Sequence, residues 1–171
     1  MKRAVENDPM SARCNQLLGW DYYMMRDYDR AILQEQKALE VDPTRVDAHY
    51  VLGFVYTQTG RYDLAVREFR LAGADPGTSP SFGYVYALGG KRKQALEVLR
   101  RLNAMSTTRP VPAVDRALVH IGLGDKNQAI ALLFKAYREH DSGLLSLKVN
   151  PLFDSLRSDP RFQDLVRRVG F

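Results

Sequence analysis

Apolar and small residues recur along this chain three and four positions apart, with glycines between the runs, a spacing that predicts helices and turns instead of strands. The clearest stretch is Ala48 to Ala72. Leu52, Gly53 and Tyr56 share one face of a first helix, Gly60 marks a turn, and Ala65, Phe69 and Ala72 fall at helical spacing along a second. Gly19, Tyr22, Ala31 and Ala38 each precede the matching residue of this unit by 34 positions, and Pro43 precedes its loop. Gly83, Tyr86, Gly90, Ala95 and Leu99 carry the pattern again at an offset of 30, and Ala117, Gly124, Ala129, Leu133 and Ala136 repeat it at 34. The missing four residues fall in DPGTSPSF, where Thr78 or Ser79 is placed to cap a shortened helix and Pro80 suits its first turn.

Small side chains at fixed positions imply close approach of helices. Gly53 and Ala65 are therefore expected to form the two sides of one close crossing, with Tyr56 and Phe69 filling the space beside it. Glu35 stands where Phe69 stands one repeat later, so packing there should be polar or loose. Upstream, Ala4 and Asp8-Pro9 match Ala38 and Asp42-Pro43, which places a partial repeat at residues 1–10. Full repeats are then expected at about 11–44, 45–77, 78–109 and 110–141. The tail, 142–171, departs from the pattern but not from helicity. Asp141 or Ser142 is placed to cap a helix through Val149, and Asn150-Pro151 and Asp159-Pro160 each to open another, with Leu152, Phe153, Leu156, Phe162, Leu165 and Val166 as apolar faces.

A unit of about 34 residues reading Leu-Gly, Tyr, Ala, Phe resembles the tetratricopeptide repeat (TPR). The resemblance implies an all-α fold, a right-handed α-α superhelix (TPR solenoid) of about four helical hairpins with a C-terminal helical cap, because one hairpin cannot bury both of its apolar faces alone. The ending, LKVNPLFDSLRSDPRFQDLVRRVGF, is similar to the C-terminal TPR regions of bacterial multidomain regulators of the adenylate cyclase, winged-helix regulator and serine/threonine kinase types. Asn150, Leu152 and Ser155 depart from the family's more usual LKVDPRFDPLRSDPRF and leave the helix starts intact. That likeness implies an interaction or sensing arm beside an effector domain. The chain itself shows no Gly-rich phosphate loop, kinase motif or cyclase metal site, so the activities of those regulators are not carried over.

In TPR arrays the first helix of each hairpin lines the concave face. The positions just after and three before each Gly-type site contribute Trp20 and Gln16, Phe54 and Tyr50, Tyr84 and Pro80, and Leu118 and Val114, while Tyr23, Thr57 and Ile121 extend the stripe. The expected peptide-binding groove is thus Gln16, Trp20, Tyr23, Tyr50, Phe54, Thr57, Tyr84 and Leu118. It lacks the Lys/Asn/Arg clamp with which chaperone-binding TPR domains hold a terminal carboxylate. The expected partner is a protein or peptide segment held by stacking and shape. A homodimer through the N-terminal edge, Met1 to Asn7, is a further expectation.

Composition narrows the remaining classes. The 171 residues are 45% hydrophobic with a net charge of +5, enough apolar content for a core. No run approaches the roughly 20 apolar residues of a membrane span, MKRAVENDP lacks a signal peptide's apolar segment, and Cys14 has no disulfide partner, which together read as cytoplasmic. Lys91, Arg92, Lys93, Arg100 and Arg101, with Arg61, Arg67 and Arg70, read as a solvated outer face broken up by Glu68 and Glu97. Basic patches alone carry no base readout, so RNA binding is the second reading and self-association another. His49, His120 and His140 lie at no metal-ligand spacing, and His49 and His120 read as packing residues. No metal, no cofactor, no catalytic residue and no enzyme activity are expected.

Overall fold

Helix ends in this chain are set by a few side chains and one turn geometry. A computed structural model describes residue 8 and residues 10–170, and everything regular within them is helical. Four hairpins follow one another: α1 (Ala12–Met24) with α2 (Tyr28–Val41), α3 (Val46–Gln58) with α4 (Tyr62–Leu71), α5 (Pro80–Leu88) with α6 (Arg92–Met105), and α7 (Ala113–Gly122) with α8 (Lys126–Arg138). Two 3-10 turns, Ser142–Ser146 and Pro151–Leu156, and α9 (Pro160–Val169) complete the chain. The partial repeat and the N-terminal edge fall on residues outside the described ones, apart from Asp8 and Met10.

Every hairpin closes in the same way. In the turns, Gly60, Gly90 and Gly124 take left-handed φ values of 74°, 75° and 77°. The amide one residue further on then donates five residues back: Arg61 to Tyr56 O at 2.8 Å, Lys91 to Tyr86 O at 2.8 Å and Asp125 to His120 O at 3.0 Å. This is the Schellman closure, which satisfies carbonyls that the helix end leaves open. The first hairpin makes the same bond, Asp27 N to Tyr22 O at 2.9 Å, although Arg26, at φ 64°, holds the position glycine holds elsewhere.

The chain divides into two compact units, residues 1–74 and 75–171, and the division falls at the register slip. In the first unit α1 packs on α2 and α3, and α2 on α3, around Leu18, Tyr22, Tyr23, Ala31, Val51 and Val55. The close approach at Gly53 is not to Ala65: a Cβ built there would meet the Phe69 ring, 2.6 Å from Cδ1. The missing side chain thus makes room for a ring, and Ala65 is buried in its own right.

In the second unit α5 packs on α6 and α7, and a Cβ at Gly83 would stand 2.6 Å from Val119 Cγ2 and 3.2 Å from Val98 Cγ1. Helix α5 has 9 residues where α1 and α3 have 13 each. Ser79 stands at its N-cap but its hydroxyl makes no capping bond, and Pro80 takes the first turn. The helix expected through Val149 is shorter, a 3-10 turn whose cap Asp141 accepts from Gly143 N at 2.9 Å. Asn150 and Asp159 cap the two elements after it, accepting from Leu152 N at 3.0 Å and Arg161 N at 2.9 Å. The tail lays Phe162 and Leu165 inward, stacks Phe153 on Phe162 at 6.2 Å, and packs α9 on α8.

Candidate functional site

The first helices of the first unit carry a ladder of aromatic rings. Trp20 lies 5.5 Å from Tyr23, Tyr23 6.2 Å from Phe54, and Phe54 6.5 Å from Tyr50, centroid to centroid. Phe69 of α4 supports the ladder from behind, 5.2 Å from Phe54 and 6.1 Å from Tyr50. Ring pairs at such distances add to the burial term and hold one another in place.

Burial separates the expected groove residues into two sets. Trp20, Tyr50 and Phe54 are half-buried and present ring surface outward. Tyr23 is fully buried, Gln16 is buried beside the ladder's start, and Thr57 is buried with its hydroxyl donating to Gly53 O at 2.7 Å. These three belong to the wall behind the surface. In the second unit Tyr84 and Leu118 are likewise buried, Tyr84 against the backbone of α7 at Gly122. Of the expected groove residues in the first unit, the aromatics left half-exposed are therefore Trp20, Tyr50 and Phe54.

Two polar features beneath this surface escaped the periodicity. Glu35 is 0% exposed, and neither carboxyl oxygen has a hydrogen-bond partner among the described residues. It sits under α1, where a Cβ at Gly19 would stand 2.7 Å from its carboxyl carbon. Burial pushes its pKa up to about 9; the Arg45 charge opposes that rise and Asp47 adds to it. The packing at this position is polar and tight, not loose. Glu68, expected on a solvated face, is 3% exposed. Its Oε2 lies 2.7 Å from His49 Nδ1 and its Oε1 2.9 Å from Arg67 Nη2, while His49 Nε2 faces Pro43 O at 3.2 Å. His49 is thereby a clasp between the start of α3 and α4. A glutamate three residues after Ala65 faces the same side of its helix, which is the only signal the sequence held.

The basic surface of the second unit is partly tied up by its own acid. Arg100 and Arg101 both donate to Glu97, each at 2.8 Å, and these hydrogen bonds hold the Glu97 pKa down at about 2. Lys91, Arg92 and Lys93 are exposed. His120, half-buried, has Nδ1 3.4 Å from Asp125 Oδ2. Cys14 is half-buried, and no group of three or more His, Cys, Asp or Glu among the described residues is arranged to hold a metal ion. No helix among them is long and apolar enough to cross a membrane.

Residues 36–67 match the tetratricopeptide repeat family. Solved structures share the fold. One, from the functional characterisation of Pseudomonas aeruginosa pilF, is 23% identical with a TM-score of 0.51 over 94% of this chain and 77% of that one. Another is YrrB, described as a TPR protein with an unusual peptide-binding site: 19% identical, TM-score 0.52, covering 98% of this chain and 89% of that one. No curated protein matches the chain. The all-α hairpin fold is that of a helical solenoid, and the repeat match together with these likenesses supports a TPR protein, a scaffold type that generally acts through protein-protein contacts.

Proposed function

We propose that the chain binds a protein or peptide segment on the aromatic face of its first two hairpins, through Trp20, Tyr50 and Phe54. The observation that carries this is the ladder itself: three half-exposed rings on successive first helices, held by Tyr23 and Phe69 behind them. Rigid aromatic anchors supply contact area at little entropic cost and dominate binding where they are preorganised. YrrB, of similar fold, has a peptide-binding site, which supports the class of ligand but not its place here. Because the half-exposed surface is formed by three uncharged rings, the ligand is held mainly by stacking and shape.

Selection of displayed peptides against the full chain tests this. Selected peptides should carry apolar or aromatic anchors, shift the emission of Trp20, and lose less than about threefold in affinity between 50 mM and 500 mM salt, since few ions are displaced. Trp20→Ala with Phe54→Ala should abolish binding at unchanged helical content. Binding that ignores both substitutions sinks the proposal. A steep salt slope removed by charge reversal at Lys91, Arg92 and Lys93 would favour RNA instead.

The resemblance of the ending to C-terminal TPR regions of bacterial regulators extends the proposal: the chain is the interaction arm of a larger cytoplasmic regulatory protein and has no chemistry of its own. The mass of the native product from its source tests that extension, and a product of only this length refutes it.

A further inference from the structure

Glu35 is a buried carboxyl with no hydrogen-bond partner among the described residues. Burying an unpaired polar group opposes folding, and a group left in that condition invites a donor from outside. Its place in the repeat tells which donor. Gly19 precedes Gly53 by 34 residues as Glu35 precedes Phe69, and the two pairs meet in the same way: a Cβ at Gly19 would strike the Glu35 carboxyl, and one at Gly53 the Phe69 ring. In that register Gln16, Trp20 and Glu35 occupy the places of Tyr50, Phe54 and Phe69, three rings in mutual contact at 6.5, 6.1 and 5.2 Å. The layer under the groove is therefore a ring in the second hairpin and a carboxyl in the first, one residue position from a half-exposed indole.

We propose that the segment bound in the groove carries an arginine whose guanidinium lies along the Trp20 ring and pairs with both oxygens of Glu35. This rests on the peptide-binding function proposed above and adds the residue that the groove selects. Two unpartnered oxygens of one carboxyl match the two-pronged donor of a guanidinium, which an ammonium does not reproduce. A flat cation also stacks on an indole face. Among the described residues the cation that acts on Glu35 is Arg45. Arg45 faces Glu35 from the start of α3 and favours its ionised form, but its Nε is itself without a hydrogen-bond partner, and its Nη1 is 3.8 Å from Asp42. Asp47 of α3 acts in the opposite sense, and α1 meets the carboxyl with Gly19, which has no charge. Glu35 is 0% exposed, so entry requires the side chains that cover it to move.

Pairing has a proton balance. In the free chain burial keeps Glu35 protonated up to about pH 9. Against a guanidinium it is ionised, so each binding event releases one proton to the buffer, and affinity climbs as pH rises towards that value.

The test uses the full chain, Trp20 emission, and three blocked peptides, acetyl-Ala-Leu-Xaa-Leu-Ala-amide with arginine, lysine or citrulline at Xaa. The arginine peptide should bind at least about tenfold tighter than the citrulline one, and tighter than the lysine one, with affinity gaining up to about tenfold per pH unit between pH 7 and 8.5. Glu35→Gln, which keeps the shape and removes the charge, should erase both the preference and the pH slope. Arg45→Gln should leave both in place. Equal binding of the three peptides, a preference that survives Glu35→Gln, or one that disappears with Arg45→Gln overturns the proposal. So does silence from all three peptides at millimolar concentration. In any of these cases anchor-bearing peptides that still depend on Trp20 and Phe54 would leave the groove standing without its arginine.

Discussion

The first and second hairpins share the length of their first helix and the closure of their turn but have opposite sources of stability. Both have 13-residue first helices and the same closing bond after the turn. The first is well capped: Ser11 accepts from Cys14 N at 3.2 Å and Asp27 from Arg30 N at 3.3 Å. Beneath its glycine, however, it buries a lone carboxyl. The second has Arg45 and Arg61 at its N-caps and no side-chain cap bond at either, but buries Phe69 and the His49–Glu68 pair. Caps contribute about 1 kcal/mol each, whereas a buried phenylalanine contributes about 3–5 kcal/mol. The geometry of the repeat thus rests on the positions that set approach and turning, the glycine face and the left-handed residue, while the filling is exchangeable.

Breaking the better-filled hairpin should have the largest effect. Phe69→Ala should cost about 3–5 kcal/mol in chemical denaturation, and Gly53→Leu at least as much, because even its Cβ collides with the Phe69 ring. Losses below about 1 kcal/mol for both would dissolve the comparison.

Giving the first hairpin an apolar filling comes next. Its carboxyl has a folded pKa of about 9 against an ordinary value of 4.5. The folded chain therefore holds the extra proton between those values, and stability from this group, complete below about pH 4.5, declines as pH rises through about 9. Glu35→Leu should flatten that slope and gain several kcal/mol more at pH 9 than at pH 5, on the order of 5 kcal/mol for a shift of this size. An unchanged pH profile would show that Glu35 is solvated or paired.

Exchanging caps is a smaller change. Asp27→Ala should cost about 1 kcal/mol, and Arg61→Asp should gain a similar amount by giving α4 the cap α2 has; thermal unfolding resolves both. Smallest is Arg26→Gly, which relieves a left-handed arginine and should gain about 0.5–1 kcal/mol net of the glycine's own entropy. A loss there would mean that the Arg26 bond to Met24 O, 2.9 Å long, outweighs the strain.

What spacing conveys and what it withholds can be seen residue by residue. Gly60, Gly90 and Gly124 are legible because a left-handed turn admits few residue types, and Asn150 and Asp159 because a cap beside proline is a local signal. The partner of Gly53 was not legible: a small residue announces that something comes close, not whether it is Ala65 or Phe69. Depth was not legible either. Tyr23, Thr57, Tyr84 and Leu118 were expected to line an open groove and are buried, because what covers them comes from neighbouring helices. Trp20, Tyr50 and Phe54 differ from them only in what is absent above. The inward turn of Glu68 and the isolation of Glu35 depend on burial in the same way, and hydrophobic periodicity reads a carboxylate as an outward residue.

The shortened α5 shows how this chain tolerates change of length. Nine residues in place of 13 remove four, which in an α-helix is about 400° of rotation and about 6 Å of rise. The angular offset left over is only about 40°, so Gly83 keeps its face towards α6 and α7 while the helix loses one turn. Removing one or two residues would swing that face by roughly 100–200° and point the glycine at water. Length in these first helices is therefore quantised by the helical pitch. Engineered deletions of three or four residues at their starts belong to the allowed steps, and shorter ones fall between them.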